Sequence, residues 1–139
     1  MPETILAFDF GLRRIGVAVG QDVTASASPV GSIANGDAGV DHDEIRRLIT
    51  EWHPSRLIVG MPLHADGSPS EMTETVDAFV IELARYELPV ETVDERFTSL
   101  EAERTLKNAR RQGSRGRITK ADIDAAAAVC IAERYLAGR

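Results

Sequence analysis

The stretch that most constrains this chain is Thr4 to Gly20, TILAFDFGLRRIGVAVG, an apolar run that carries one carboxylate and turns back on itself. Ile5, Leu6, Ala7 and Phe8 read as a buried strand, because a continuous apolar run of this length suits a strand covered on both faces. Asp9 then falls where an unpaired charge is expensive. After Gly11-Leu12-Arg13-Arg14, the run Ile15 to Val19 reads as a second strand, so the chain makes a hairpin with a tight glycine-containing turn. That hairpin presents an aspartate beside two arginines.

A length of 139 residues suits one core, so residues 1–139 are expected to form a single domain. With 43% hydrophobic and 27% charged residues, the composition argues against disorder or a fibrous class. The longest uninterrupted apolar run, Ala125 to Ala132, is far short of the roughly 20 residues a membrane span needs, so no membrane partner is expected. The start of the chain has no secretory pattern, and one cysteine, Cys130, cannot form an internal disulfide. Both observations point to the cytoplasm. Cys130 reads as a small core residue of an alanine-rich helix. His42, His53 and His64 are too scattered for a local zinc motif and read as surface or loop residues.

Further along, Asp22 to Ala34 reads as a third strand at a sheet edge, where Pro29 is tolerated, and Asn35-Gly36-Asp37 ends it. Ile45, Leu48, Ile49 and Trp52 recur at helical spacing, with Asp41 and Glu44 as an N-terminal cap pair and His53-Pro54 as the stop. Arg56 to Gly60 reads as a buried fourth strand. Ser68-Pro69-Ser70-Glu71 reads as a helix start, with Ser68 as cap, and Met72, Val76, Phe79, Val80 and Leu83 as the packed stripe of that helix. Val90 to Asp94 forms a fifth strand after Pro89, and Thr98 with Glu101 opens another helix. Thr119 with Asp122 caps the last helix, whose apolar and small positions include Ile123, Ala126, Ala127, Cys130 and Ile131. A hairpin and third strand followed by alternating helices and strands imply an α/β domain with a mixed sheet.

The net charge of −6 argues at first against a nucleic-acid partner. The average hides an asymmetry. Arg104, Lys107, Arg110, Arg111, Arg115, Arg117 and Lys120 lie in one stretch without an acidic residue, leaving nine basic residues to face all 22 acidic ones elsewhere. Such a run is often only a solvated face, but Gln112 to Arg117 has a flexible loop composition suited to wrapping a phosphate backbone.

In α/β sheets, chemistry belongs at strand ends. Asp9 lies at the end of the first strand, Asp94-Glu95 at the end of the fifth, and Asp124 on the last helix. Neighbouring residues on a strand face opposite ways, so only one of Asp94 and Glu95 faces the site. Ala127 and Ala128, one turn beyond Asp124, leave room for close approach to a sheet. Singly, each acid has a plainer reading: Asp9 as a turn acceptor, Glu95 as a partner of Arg96 or Arg14, Asp124 as a surface charge. Gathered at one sheet end they would repel unless cations neutralised them, and an oxygen-only cluster suits Mg²⁺ or Mn²⁺.

The segments Asp9-Phe10-Gly11-Leu12-Arg13-Arg14-Ile15-Gly16-Val17-Ala18, Gly60-Met61-Pro62-Leu63, Asp94-Glu95-Arg96-Phe97-Thr98-Ser99 and Ile123-Asp124-Ala125-Ala126-Ala127-Ala128 resemble the four signature motifs of the YqgF family. This family is also called RuvX, the pre-16S rRNA nuclease or Holliday junction resolvase-like family. The resemblance runs from about Ile5 to Leu136 in the right order and spacing. It implies an RNase H-like fold, a five-stranded mixed β-sheet flanked by α-helices, with Asp9, Glu95 and Asp124 as catalytic metal ligands. Arg14 matches the basic residue of the first motif and Arg96 that of the third. The sequence departs from the family at two packing positions, Met61 in place of leucine and Ala132 in place of a larger apolar residue.

The implied mechanism is divalent-metal-assisted hydrolysis of a phosphodiester, with Asp9 shared between two ions and Glu95 and Asp124 completing their shells. Arg13, Arg14, Arg96, Lys107, Arg110, Arg111, Arg115, Arg117 and Lys120 would hold phosphates by charge without reading bases. The expected substrate is structured nucleic acid, foremost the 5′ end of pre-16S rRNA during ribosome biogenesis, with ribosomal precursor particles as partners of a monomer or homodimer. Branched DNA is the alternative substrate, as for a Holliday junction resolvase. A catalytically weak RNA-binding assembly factor is the competing reading. Gly11 and Gly16 hint at a phosphate loop, but Val17-Ala18 stand where a Walker-type loop needs Lys and Ser or Thr. A kinase or chaperone-like ATPase with the same Asp-x-Gly hairpin would pair two such domains.

Overall fold

A computed structural model describes residues 3–64, 66–94 and 119–138 of the chain. The elements are β1 (Thr4–Phe10), β2 (Arg14–Gln21), β3 (Ser26–Ala34), α1 (His42–Trp52), β4 (Arg56–Met61), α2 (Thr73–Leu83) with a short 3-10 turn at Ala84–Tyr86, β5 (Val90–Asp94) and α3 (Lys120–Ala137). The sheet order is β3-β2-β1-β4-β5. The β1–β2 and β2–β3 pairs are antiparallel, and β1–β4 and β4–β5 are parallel, which makes the expected five-stranded mixed sheet.

The apolar runs of β1 and β4 are continuous because both faces of the sheet are covered. One face carries Leu6, Phe8, Ile15, Val17, Val19, Leu57 and Val59 against Ile45 and Leu48 of α1 and Val76, Phe79 and Leu83 of α2. Phe79 anchors that layer, edge-on to Phe8 at a centroid distance of 5.9 Å and tilted against Phe10 at 5.0 Å. The other face carries Ile5, Ala7 and Ile58 against Ile131, Ala132 and Leu136 of α3. On β2 the α3 side is built from Gly16, Ala18 and Gly20, alternating with the bulky Ile15, Val17 and Val19 that face the other way. A Cβ on Gly20 would lie 3.0 Å from Ile5 Cγ1 and 3.3 Å from Leu136 Cδ1, so α3 presses close on this strand.

β3 lies at the edge, as Pro29 requires, and the register with β2 shifts between Val17 and Ala18, where Val30 is the extra residue. Cys130 is buried, as a small core residue should be. The cap of α1 is the expected one: Asp41 accepts from the Glu44 backbone N–H at 3.2 Å, and His53 ends the helix in the left-handed region at φ 48°.

Three expectations are corrected. Helix α2 starts at Thr73, not at Ser68, and its cap position, Met72, makes no side-chain cap bond. The Ser68 backbone N–H and hydroxyl both donate to Asp66 Oδ1, and the Ser70 and Thr73 hydroxyls both donate to the Pro62 carbonyl at 2.8 Å. These residues close a loop in which Leu63 bridges Pro69, and Ser70 Oγ also accepts from the Met72 N–H at 3.2 Å, so the hydroxyl at the entrance of the helix is that of Ser70 and not that of Ser68. The Ser68 hydroxyl and N–H in turn hold the Asp66 carboxyl below the usual carboxylate range. Ile123 is 37% exposed and not part of the buried core. His42 is not a surface residue: its ring sits between the Tyr86 hydroxyl at 2.5 Å and Glu82 Oε1 at 2.9 Å, joining α1 to α2 and the turn that follows it. The expected helix opening at Thr98 and Glu101, and the basic stretch from Arg104 to Arg117, lie outside the described residues.

Candidate active site

Strand pairing sets Asp9 of β1 directly across from Gly16 of β2. Directly paired residues of adjacent strands share a face, and Asp9 also has the parity of Ile5 and Ala7, so its side chain faces α3. On that face, helix α3 crosses Gly16 with its Asp124 residue. A Cβ on Gly16 would overlap the Asp124 carbonyl oxygen and carbon and lie 3.0 Å from Asp124 Cβ. Glycine is what permits this approach. Two carboxylates from residues 9 and 124 are thereby brought to one spot of one sheet face, and both residues are half-buried.

Asp124 is set by the start of its helix. Thr119 and Asp122 form the reciprocal capping box, with the Asp122 N–H donating to Thr119 Oγ1 at 3.1 Å and the Thr119 N–H donating to Asp122 Oδ2 at 2.9 Å. The four alanines from Ala125 to Ala128 are all buried, and those on the sheet side of the helix leave room for it to lie close. Thr119→Ala should cost about 1 kcal/mol of stability, the usual worth of a side-chain cap, and urea denaturation would measure it.

The hairpin between β1 and β2 is clamped from outside. Asn35 Nδ2 donates to the Gly11 carbonyl at 2.7 Å and the Asn35 backbone N–H donates to the Arg13 carbonyl at 2.9 Å. The Asn-Gly pair reads from sequence as punctuation after β3, and its amide turns out to fix the loop beside the site. Arg13 and Leu12 are exposed at the tip. Arg14 has the parity of Gly16 and turns inward: its Nε donates to Asp124 Oδ2 at 2.8 Å. This ion pair is partly shielded, with side-chain exposures of 38% for Arg14 and 22% for Asp124.

At the end of β5, Val93 packs against the α3-facing cluster and Val90 against the opposite one. Alternation therefore puts Asp94 on the α1 and α2 side, away from Asp9 and Asp124. Its backbone carbonyl accepts a hydrogen bond from Arg134 Nη1 at 2.7 Å, which ties α3 to the end of the strand. Lys120 is exposed in the first turn of α3. Glu95, Arg96, Lys107, Arg110, Arg111, Arg115 and Arg117 lie outside the described residues.

Among the described residues no group of three acidic, histidine or cysteine side chains gathers in a metal-binding cluster. Asp9 and Asp124, placed on the same sheet face, supply oxygen donors only, and such a donor set fits Mg²⁺ or Mn²⁺ better than zinc. Also among the described residues, no helix is long and apolar enough to cross a membrane.

The same architecture is found in known proteins. The chain superposes on Thermus thermophilus RuvC in complex with a Holliday junction substrate with a TM-score of 0.58, at 13% identity, over 98% of this chain and 96% of that one. It superposes on the yeast mitochondrial Holliday junction resolvase with a TM-score of 0.52, at 10% identity, over 95% of this chain and 77% of that one. At such identities the likeness shows the fold alone, which is RNase H-like. The sequence relatives are much nearer. A Paraburkholderia phymatum protein named "Putative pre-16S rRNA nuclease" is 41% identical over 136 residues, covering 97% of this chain and 85% of the relative. A Dechloromonas aromatica protein of the same name is 44% identical over 134 residues, covering 95% and 89%. The RuvX family model, described as Holliday junction resolvase, matches residues 3–138. With matches of this extent, the chain belongs to the RuvX (YqgF) family.

Proposed function

We propose that this chain is a divalent-metal-dependent phosphodiester nuclease acting on structured nucleic acid, with processing of the 5′ end of pre-16S rRNA as its reaction. The observation that carries the reading is the meeting of Asp9 and Asp124 over Gly16 on one sheet face. The names of the sequence relatives favour a ribosomal RNA precursor as substrate. Residues 1–139 act as one nuclease domain in the cytoplasm, either alone or as a dimer, on precursor particles.

Asp9 and Asp124 would hold Mg²⁺ or Mn²⁺, with Glu95 as the third ligand, since strand alternation turns Asp94 to the other face. A metal ion at this site supplies an activated water and neutralises charge on the leaving 3′-oxygen. The protein's own part is positional. Asp9 and Asp124 fix the donor oxygens from a strand and a helix locked together at a glycine, and no histidine or serine nucleophile is required. Arg13 at the clamped hairpin tip, Arg96, Lys120 and the basic stretch of Lys107, Arg110, Arg111, Arg115 and Arg117 hold backbone phosphates without reading bases.

The test is a side-by-side cleavage assay with Mg²⁺ or Mn²⁺ on structured RNA, single-stranded RNA and a synthetic four-way DNA junction. Preferential cutting of structured RNA is the expected result. Preferential cutting of the junction would support the alternative that the family description names, junction resolution. RNA binding without cleavage of any substrate would leave an assembly factor.

The basic stretch has its own test. Neutralising Arg110, Arg111, Arg115 and Arg117 together should reduce the slope of log affinity against log salt by roughly three, at 0.7 to 0.9 per lost phosphate contact. Binding titrations at several salt concentrations would measure it, and an unchanged slope would make the stretch a solvated face.

A further inference from the structure

Arg14 pairs with a residue 110 positions away that its place in the first motif does not disclose. It is the first residue of β2 and shares the face of Gly16, so it stands on the same side of the sheet as Asp9 and Asp124. Its Nε donates to Asp124 Oδ2, one of the oxygens a divalent cation would take. We propose that Arg14 is the resident counter-ion of Asp124, exchanged for the metal on loading, and that the released guanidinium then takes a phosphate of the bound nucleic acid. This inference rests on the nuclease reading above.

Three considerations support the exchange. A divalent cation on Asp124 while Arg14 Nε holds Oδ2 would set two positive centres on one carboxylate, so each weakens the other's hold and the mobile guanidinium is the one that can yield. Arg14 is able to leave, because its side chain is 38% exposed and the pair is only partly shielded, the class of ion pair with a small net worth. The guanidinium also has somewhere to go. It emerges beside the hairpin tip, where Arg13 is exposed and where Asn35 holds the backbone, and a guanidinium matches the geometry of phosphate oxygens. Before loading, the same pair keeps Asp124 neutralised in a partly buried setting, so the site does not have to hold bare repelling carboxylates.

The exchange predicts a sign opposite to that of a merely structural bridge. If Arg14 competes with metal, removing it strengthens metal binding; if it only holds Asp124 in place, removing it weakens metal binding. Coupling follows as well, since nucleic acid that engages the released Arg14 favours metal, and metal favours nucleic acid by the same factor.

The experiment measures Mn²⁺ binding to the full chain by electron paramagnetic resonance of the free ion, for the parent, Arg14→Gln and Arg14→Lys. Arg14→Gln should bind Mn²⁺ about fivefold more tightly than the parent, the factor by which a partly exposed ion pair would compete. Arg14→Lys, which keeps a cation on the same face, should stay near the parent. A second arm follows a labelled 2′-O-methyl RNA stem-loop by fluorescence anisotropy, where saturating Mn²⁺ should tighten binding more for the parent than for Arg14→Gln. Equal or weaker Mn²⁺ binding by Arg14→Gln overturns the exchange and leaves Arg14 as a positioning residue. An equal Mn²⁺ effect on RNA binding in the two proteins overturns the hand-over to phosphate. If the parent binds no Mn²⁺ at all, the metal-dependent reading fails with it, an outcome distinct from the other two.

Discussion

Asp9→Asn should abolish cleavage while leaving the fold intact. The substitution keeps the size and hydrogen-bonding capacity of the side chain and removes the charge that makes it a metal ligand. A loss on the order of a thousandfold in rate is expected, since the metal's stabilisation of the transition state is worth several kcal/mol and each tenfold corresponds to about 1.4 kcal/mol. The core should tolerate the change. The apolar work of β1 on the α3 side is done by Ile5 and Ala7, and on the other side by Leu6 and Phe8, whereas Asp9 is only half-buried at the strand end. Without metal, the variant should keep the parent's stability, because the side chain keeps its size and hydrogen-bonding capacity at a half-buried strand end. Thermal melts with and without Mn²⁺ check this: the parent gains Tm with the ion and Asp9→Asn does not.

Gly16→Ala should be strongly destabilising. A methyl group there would overlap the backbone carbonyl of Asp124, and a backbone group cannot rotate away as a side chain would. Relief requires lifting the start of α3 from the sheet, which loosens the packing of Ala125 to Ala128 and moves Asp124 away from Asp9. Overpacking of a core usually costs about 1–3 kcal/mol, and a clash with backbone belongs at or above the top of that range. Denaturant unfolding should show a loss of about 3 kcal/mol or failure to fold. Gly138→Ala is the control. A Cβ there meets its nearest atom at 3.6 Å, an ordinary contact, so the variant should melt like the parent.

The order of strands and helices was legible because burial wrote it plainly. β1 and β4 are continuous apolar runs covered on two sides, Pro29 marks the edge strand, and the Thr119–Asp122 capping box gives the start of α3 to the residue. The start of α2 was misread because Ser68-Pro69-Ser70-Glu71 carries the local chemistry of a cap, and only the return of the loop past Pro62 shows that another acceptor takes the hydroxyls. Local sequence cannot show which acceptor wins. The close approach of α3 did leave a trace, the alternation of Gly16, Ala18 and Gly20 between Ile15, Val17 and Val19, which reads as a strand with one small-residue face. The pairing of Arg14 with Asp124 left none, since the two residues are 110 positions apart and each has nearer charges in sequence. Likewise Asn35 looked like turn punctuation, and its hold on the hairpin emerges only when β3 is paired with β2.

The proposed site needs a third acid on the sheet face of Asp9 and Asp124, and the register of β5 allows a test by comparison of neighbours. Cleavage of structured RNA in Mn²⁺ should be measured for Glu95→Gln and Asp94→Asn beside the parent, with the Mn²⁺-dependent rise in Tm recorded for each. Glu95→Gln should lose both cleavage and the rise in Tm, while Asp94→Asn, which has the parity of Val90 on the opposite face, should keep most of both. Loss of activity in Asp94→Asn with parent-like cleavage by Glu95→Gln would contradict Glu95 as the third acid.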